Sequence, residues 1–204
     1  MKDLLHELIE ALTLLPGVGK KSAQRMALFL LDKNKDGAMF IAETLKTAVE
    51  NVRKCNDCRI LTSSEICSIC SDGRRDKSKI CVVENPSDVL AIETTGGFRG
   101  LYFVLMGRLS PLDDVKPEDL GIPQLITRIN KGVVKEIILA TSSTVEGDAT
   151  AYFIKDHIKN AKVSRISYGI PIGGELEYVD ANTIARAIQG LSLIHISEPT
   201  RRSY

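Results

Sequence analysis

The sequence predicts an α/β protein in several parts: a helical front, a small cysteine-rich module and a rear half with a mainly parallel sheet. Three observations predict it. Apolar residues in the first 52 positions recur at three- and four-residue steps, the period of amphipathic helices. Two C-x-x-C pairs, Cys55/Cys58 and Cys67/Cys70, follow at once. From Lys79 the short β-branched runs ICVV, LYFVL, EIILA and VSRI alternate with helical stretches near residues 87–94, 122–130 and 146–160. That alternation predicts a parallel sheet covered on both faces.

Composition narrows the choice. The 204 residues suffice for one or two domains and a small module. A net charge of +1 hides a split, because residues 1–79 hold 14 Lys/Arg against 11 Asp/Glu and residues 80–190 hold 11 against 14. The basic front leans towards a nucleic-acid partner. No long uninterrupted apolar run occurs, and acids break up the apolar start MKDLLHELIEALTLL. Neither a membrane span nor a signal peptide is expected, and a cytoplasmic location is. Four of the five cysteines lie in the paired motifs and Cys81 lies inside ICVV. That usage fits a reducing compartment, with Cys81 in the core.

The front, residues 1–54, is expected to be helical. Leu4, Leu5, Leu8, Ile9, Leu12 and Leu15 give a first helix one buried face, and Pro16-Gly17 ends it. In LLPGVGKKSAQRMALFLL, a second helix follows with Ala23, Met26, Ala27 and Leu30 on its apolar face. This is a helix-hairpin-helix pattern. Gly17 and Gly19 let another backbone approach closely, and the free amides opening the second helix form an anion site with a favourable dipole. Lys20, Lys21 and Arg25 lie on or near its first turns, Lys21 and Arg25 on one side. They suit phosphate contacts that do not read bases, hence DNA binding without sequence preference. The alternative is a plain tight turn between core helices. Ile41, Leu45, Ala48, Val49 and Val52 mark a third helix leading into the first cysteine.

Residues 55–70 read as a four-cysteine zinc module. Each C-x-x-C knuckle turns two sulfurs towards one point, and zinc favours the tetrahedron they complete. Such sites supply about 10–16 kcal/mol of apparent binding free energy, so the segment needs little core of its own. The intervening ILTSSEI is too short and polar to fold unaided, which favours zinc over disulfides or redox thiols. Four sulfur ligands, Cys55, Cys58, Cys67 and Cys70, leave no open position, so one structural Zn2+ per chain is expected. The connector SDGRRDKSK places Arg74, Arg75, Lys77 and Lys79 where they either extend a basic surface or keep a linker solvated.

In such sheets functional residues gather at the carboxyl ends of strands. Two ends stand out here. Glu84 follows the first strand with Asp88 opening the next helix, and ATSSTVEG, with Glu146, follows the third. A glutamate after strand one and D-x-D-x-x-G after a later strand make the Toprim pattern of topoisomerases and primases, whose acids hold magnesium. Residues 78–173 resemble that domain, with Ser142 and Thr144 at the aspartate positions. Hydroxyls lack the charge to strip magnesium of part of its water shell, so Mg2+ is expected to bind weakly or not at all, and no catalytic residue is assigned. Glu84, Asp88 and Glu146 remain as an acidic cluster for a partner or a weakly held metal. Otherwise Asp88 and Glu146 are helix-start acids favoured by the dipole.

Up to Gly190 the chain resembles the RecR family of bacterial recombination mediators. LPGVGKKSAQR, CSICSDGRRD, ICVVENPSDVLAIE, GLYFVLMGRLSPLDDVKPEDL, EIILATSSTVEGDATA and YGIPIGGELEYVD stand in that family's order and spacing. The resemblance implies a non-enzymatic role in recombinational DNA repair. Family members act with RecO and RecF to load the strand-exchange recombinase onto single-stranded DNA, as homodimers or ring-shaped homotetramers through which DNA can be threaded. It implies cytoplasmic protein that joins the nucleoid during repair. Lys21 and Arg25 match the family's DNA-contacting pair, Lys20 stands where proline is common, and Glu84, Asp88 and Glu146 match acidic Toprim positions expected to bear on partner contact. The rival reading is a magnesium-dependent Toprim nuclease or topoisomerase-like enzyme using the three acids. A zinc-ribbon transcription module would fit the cysteines but neither the hairpin nor the sheet.

Residues 174–190 are expected to form a C-terminal segment with a helix. Residues 191–204, LSLIHISEPTRRSY, depart from the family and read like translated vector or adaptor sequence. They are set aside as a non-native tail, His195 included. His6 and His157 have no partner at metal spacing. Tyr168 and Tyr178 would need an armed metal site to act as a topoisomerase tyrosine does.

Overall fold

The computed structural model describes residues 3–110, 112–167, 169–170 and 173–189. The tail 191–204, His195 and Tyr168 lie outside them. The chain forms two compact units, Met1–Asn56 with Leu61–Cys67, and Asp57–Ile60 with Ser68–Tyr204.

The first unit holds α1 (Leu4–Leu12), α2 (Lys20–Asp32) and α3 (Lys35–Asn51), then β1 (Arg53–Lys54) paired antiparallel with β2 (Leu61–Thr62). Asp3 caps α1 and Asn34 caps α3 through their side-chain oxygens, each supplying an acceptor that a helix start lacks. The expected face of α1 is only half-buried, through Leu5, Leu8, Ile9 and Leu12, while Leu4 and Leu15 are exposed. Neither α1 nor α3 fully buries a residue, and α2 buries only Ala23 and Ala27. Leu45 stays 62% exposed and Val49 75%. Three short helices have too little volume to enclose leucines on several faces, so only small residues reach the interior.

The second unit begins with the short helix α4 (Ser68–Ser71). It continues through β3 (Asp76–Val83), α5 (Pro86–Thr94), β4 (Gly100–Val104), α6 (Ile122–Asn130), β5 (Glu136–Ala140), α7 (Val145–Asp156) and β6 (Lys162–Arg165). A 3-10 turn at Leu176–Tyr178 and α8 (Ala181–Gln189) follow. The four strands β3 to β6 pair in the order β4-β3-β5-β6, every pair parallel. A central parallel strand is buried on both faces, which is why ICVV reads as a continuous apolar run. Ile80, Val82, Phe103 and Ile137 pack on one side with Leu125 of α6 and Ile154 of α7. Cys81, Val83, Tyr102 and Val104 pack on the other with Val89 of α5 and the flanking Ile60 and Ile69. Cys81 is therefore a core residue, and burial pushes its thiol up to about 12. The helix α7 ends at Asp156, short of the expected residue 160, where His157 stacks on Phe153 and its Nδ1 donates to the Phe153 carbonyl at 2.8 Å.

Candidate functional site

The four paired cysteines converge. Their sulfurs all lie within 4.8 Å of one another and all four residues are buried. A tetrahedron of zinc–thiolate bonds has sulfurs about 3.8 Å apart, so the donor set and its spacing suit zinc. The Cys67 amide donates to the Cys55 sulfur at 3.3 Å, a bond that favours a thiolate. Among the described residues this is the one group of three or more His, Cys, Asp or Glu side chains so gathered.

The first knuckle is bonded to the sheet. The Val104 amide, on the outer edge of β4, donates to the Cys58 carbonyl at 2.8 Å. Arg128 of α6 donates to the Asp57 carbonyl at 2.8 Å and to the Tyr102 carbonyl at 3.2 Å. Arg59 sits in the left-handed region at φ 66° as the chain turns past Cys58. Its buried guanidinium donates to the Asp119 carbonyl at 2.9 Å and lies 5.9 Å from the centre of the Phe103 ring. Burial alone draws its pKa below the ordinary arginine value. A sheet edge left open is a template for mispairing, and here the knuckle covers it. Nothing in the sequence marked Arg59 or Arg128, whose partners lie dozens of residues away.

The hairpin presents an uncapped helix start. Gly17 turns at φ +78°, which only glycine adopts without strain, and Gly19 is the N-cap of α2 at φ −81°. A methyl group added at either would meet nothing within 4 Å. Packing within the chain therefore does not demand glycine at position 19. The start of α2 has no side-chain cap and no acid in its first turn, whereas α1, α3 and α7 are capped by Asp3, Asn34 and Thr144. Lys20, Lys21 and Arg25 are exposed on α2.

Among the described residues the three acids are not gathered as a group that could share one metal ion. Glu84, 7% exposed, accepts from the Ser142 amide at 2.8 Å and from the Ser142 hydroxyl at 2.9 Å. That hydroxyl lies 3.0 Å from the Thr144 hydroxyl, which in turn accepts from the Gly147 amide at 3.2 Å. Gly147 is required by close approach, since a Cβ there would stand 2.3 Å from the Ser142 carbonyl oxygen. Asp88 is committed to a capping box, accepting from the Asn85 amide at 2.8 Å. Glu146 is held below the ordinary glutamate pKa by its own backbone amide first and the Thr144 hydroxyl second. Asp88 and Glu146 are satisfied locally by capping geometry, and Glu84 by a residue 58 positions away.

Of the connector residues, Arg75 is no free surface charge. It grips Glu93 through both terminal guanidinium nitrogens, and Glu93 also accepts from the Tyr102 hydroxyl at 2.6 Å. Arg74 pairs with Asp72 and stays 90% exposed.

The family model "RecR, helix-hairpin-helix" matches residues 5–49, "Toprim domain" residues 78–167, and "RecR, C-terminal" residues 169–190. The chain is 52% identical over 187 residues to the Recombination protein RecR of Saccharophagus degradans, covering 91% of this chain and 95% of that one. This chain belongs to the RecR family. Its likeness to the RecR of Stutzerimonas stutzeri is 52% over 189 residues, covering 92% and 94% of the two chains. For the RecR of Acinetobacter baylyi it is 51% over 188 residues, covering 91% and 95%. The RecR family was legible from the ordered motifs, and the hydroxyl-bridged Glu84 lies within the segment that its Toprim model matches.

Proposed function

We propose that the protein is a DNA-binding recombination mediator that grips the phosphate backbone and does no bond chemistry. The observation that carries this is the uncapped start of α2, with Gly17 and Gly19 open to solvent and Lys21 and Arg25 on the same helix. Amides without a side-chain cap, at the positive end of a helix dipole, favour a phosphate and carry no sequence preference. Lys21 and Arg25 are the main contacts, with Lys20, Gly17 and Gly19 around them. Family membership supports a role in recombinational repair with RecO and RecF, loading the recombinase onto single-stranded DNA in the cytoplasm and at the nucleoid.

The remaining assignments follow from the same reading. Residues 1–54 are the DNA-contacting domain, 55–70 the structural zinc module held by Cys55, Cys58, Cys67 and Cys70, 78–173 the Toprim domain and 174–190 the C-terminal segment. Glu84, Asp88 and Glu146 serve partner contact and hold no catalytic magnesium, because hydroxyls occupy the two positions that would complete the acid set. The exposed Leu4, Leu45 and Val49 supply apolar area for a homodimer or tetramer ring.

Charge reversal tests the grip. Lys21→Glu or Arg25→Glu should weaken duplex binding by roughly ten-fold whatever the sequence, and lower the log–log salt slope by about 1–2. Unchanged affinity at moderate salt would remove the hairpin from the mechanism. Incubation with supercoiled DNA and Mg2+ or Mn2+ tests the second clause, since nicking abolished by Glu84→Gln would replace a scaffold with an enzyme.

A further inference from the structure

A cavity of about 280 Å³ lies beside the Arg75–Glu93 pair, lined also by Arg74, Phe98, Arg99 and the Gly96 turn. None of the features above uses it. Its charged lining divides into satisfied and available groups. Arg75 and Glu93, with side chains 16% and 26% exposed, neutralise one another. The Tyr102 hydroxyl and the Gly100 carbonyl take part in the same network, so it forms a fixed wall. Arg74 is forked onto Asp72 through Nε and one terminal nitrogen, each at 3.0 Å. That grip leaves its other terminal nitrogen for a ligand. Arg99 is exposed and makes no ion pair among the described residues. Three guanidinium groups thus face two carboxylates, and one positive charge is left over.

The aromatic wall is the second observation. Phe98 is half-buried, meets Tyr102 edge-on with ring centres 5.2 Å apart, and lines the same cavity. A cationic rim beside an aromatic ring is the chemistry that holds a base and its phosphate. Stacking tolerates any base, and a guanidinium recognises the phosphate without reading sequence. The volume falls at the small end of ligand sites, enough for one nucleotide and not for several.

We propose that this cavity is a second nucleic-acid subsite, taking one nucleotide of a single strand with its base on Phe98 and its phosphate on Arg99 and Arg74. The site rests on the nucleic-acid reading of the family but not on the hairpin, which belongs to the other unit. A free nucleotide shares the chemistry, so the test separates the two sources.

The experiment uses the zinc-loaded full chain, a short labelled oligo-dT, a matched strand of abasic sites, and dTMP as competitor, read by fluorescence anisotropy. Arg99→Glu should weaken both strands by roughly ten-fold, through loss of the phosphate contact. Phe98→Leu keeps an apolar side chain but removes the ring. It should weaken the oligo-dT by roughly five-fold or more and leave the abasic strand unchanged. Loss on both strands with Phe98→Leu, or no loss with Arg99→Glu, overturns the subsite. Saturation by dTMP with no effect of either variant on the strand assigns the cavity to free nucleotides and overturns the strand reading. Arg99 is exposed, so its variant keeps the question open to refutation even where Phe98→Leu fails to fold. A failing hairpin reading would show as unchanged duplex binding by Lys21→Glu, and a failing subsite as unchanged single-strand binding with the hairpin intact.

Discussion

Stripping the metal from the cysteine module should weaken the sheet as well as the module. The knuckle Asp57–Ile60 belongs to the same compact unit as the sheet and is bonded within that unit at three points, to β4, to the loop before α6 and to α6. The Val104–Cys58 bond at 2.8 Å joins two neutral groups, and such bonds contribute about 1 kcal/mol net. The Arg59–Asp119 bond at 2.9 Å and the Arg128–Asp57 bond at 2.8 Å have charged donors, for which about 1.5–3 kcal/mol each is usual, less where exposed as at Asp57. Together they amount to about 3–5 kcal/mol that exists only while the knuckle keeps its shape. Whole domains are stable by about 5–15 kcal/mol, so the loss is a large share. At about 2–4 °C per kcal/mol for a chain of this size, the melting point should fall by roughly 6–20 °C. The assay is circular-dichroism melting before and after chelation, with released zinc counted by a chromophoric chelator and amide exchange followed at Val104. Val104 should lose protection and the bared β4 edge should promote aggregation. Full release of one zinc per chain with the melt and Val104 protection unchanged would refute the coupling.

Two further outcomes follow from the second unit. Ser142→Asp with Thr144→Asp sets a carboxylate about where the Ser142 hydroxyl now meets Glu84 at 2.9 Å. Repulsion and the lost hydrogen bond should cost on the order of 1–3 kcal/mol in chelator, and millimolar Mg2+ should restore part of it; melts identical with and without Mg2+ would contradict this. Glu93→Gln removes the charge that Arg75 grips, at a cost of about 1–2 kcal/mol at neutral pH by urea unfolding. The Arg75 guanidinium holds the Glu93 carboxyl below its ordinary 4.5, so folding favours the ionised form. The wild type's advantage should then be complete above pH 4.5 and shrink as the pH falls below it, because the unfolded carboxylate takes up its proton first, the loss ending once the native one is protonated too. An advantage that persists unchanged in acid would assign the effect to packing.

The elements of the second unit were legible because their signals are local. Ile122–Asn130 came out with the predicted bounds, and each β-branched run became a strand, since a buried parallel strand writes its burial directly into four or five consecutive residues. The cysteine convergence was legible for the same reason, with the geometry carried by two three-residue spacings. What was not legible is pairing at a distance. Glu84 and Ser142 are 58 residues apart and Arg75 and Glu93 are 18 apart, and no periodicity announces that either pair will touch. Only the Toprim register brought Glu84 and Ser142 to one strand end, and it said nothing of a bond. The front helices show the converse. Apolar spacing in α1 correctly marked a face, but it does not say what covers the face, and within this chain little does.

The hydroxyls at Ser142 and Thr144 also bear on how a buried acid is accommodated at this strand end. A carboxylate 7% exposed would be costly beside two more carboxylates, since burial strengthens repulsion as much as attraction. With hydroxyls, the same loop gives Glu84 two donors from Ser142 and closes the chain onto the Thr144 cap of α7. The geometry of a Toprim strand end is thus kept by the hydrogen bonds to Glu84 and by Arg165, which donates to the Ser142 carbonyl at 2.8 Å. At the start of α2 the opposite holds, because the amides there lack a cap from the chain's own side chains and two lysines stand at the entrance. Glu84 finds its donors within the chain and the start of α2 finds no side-chain cap, so an anion has reason to bind at the hairpin.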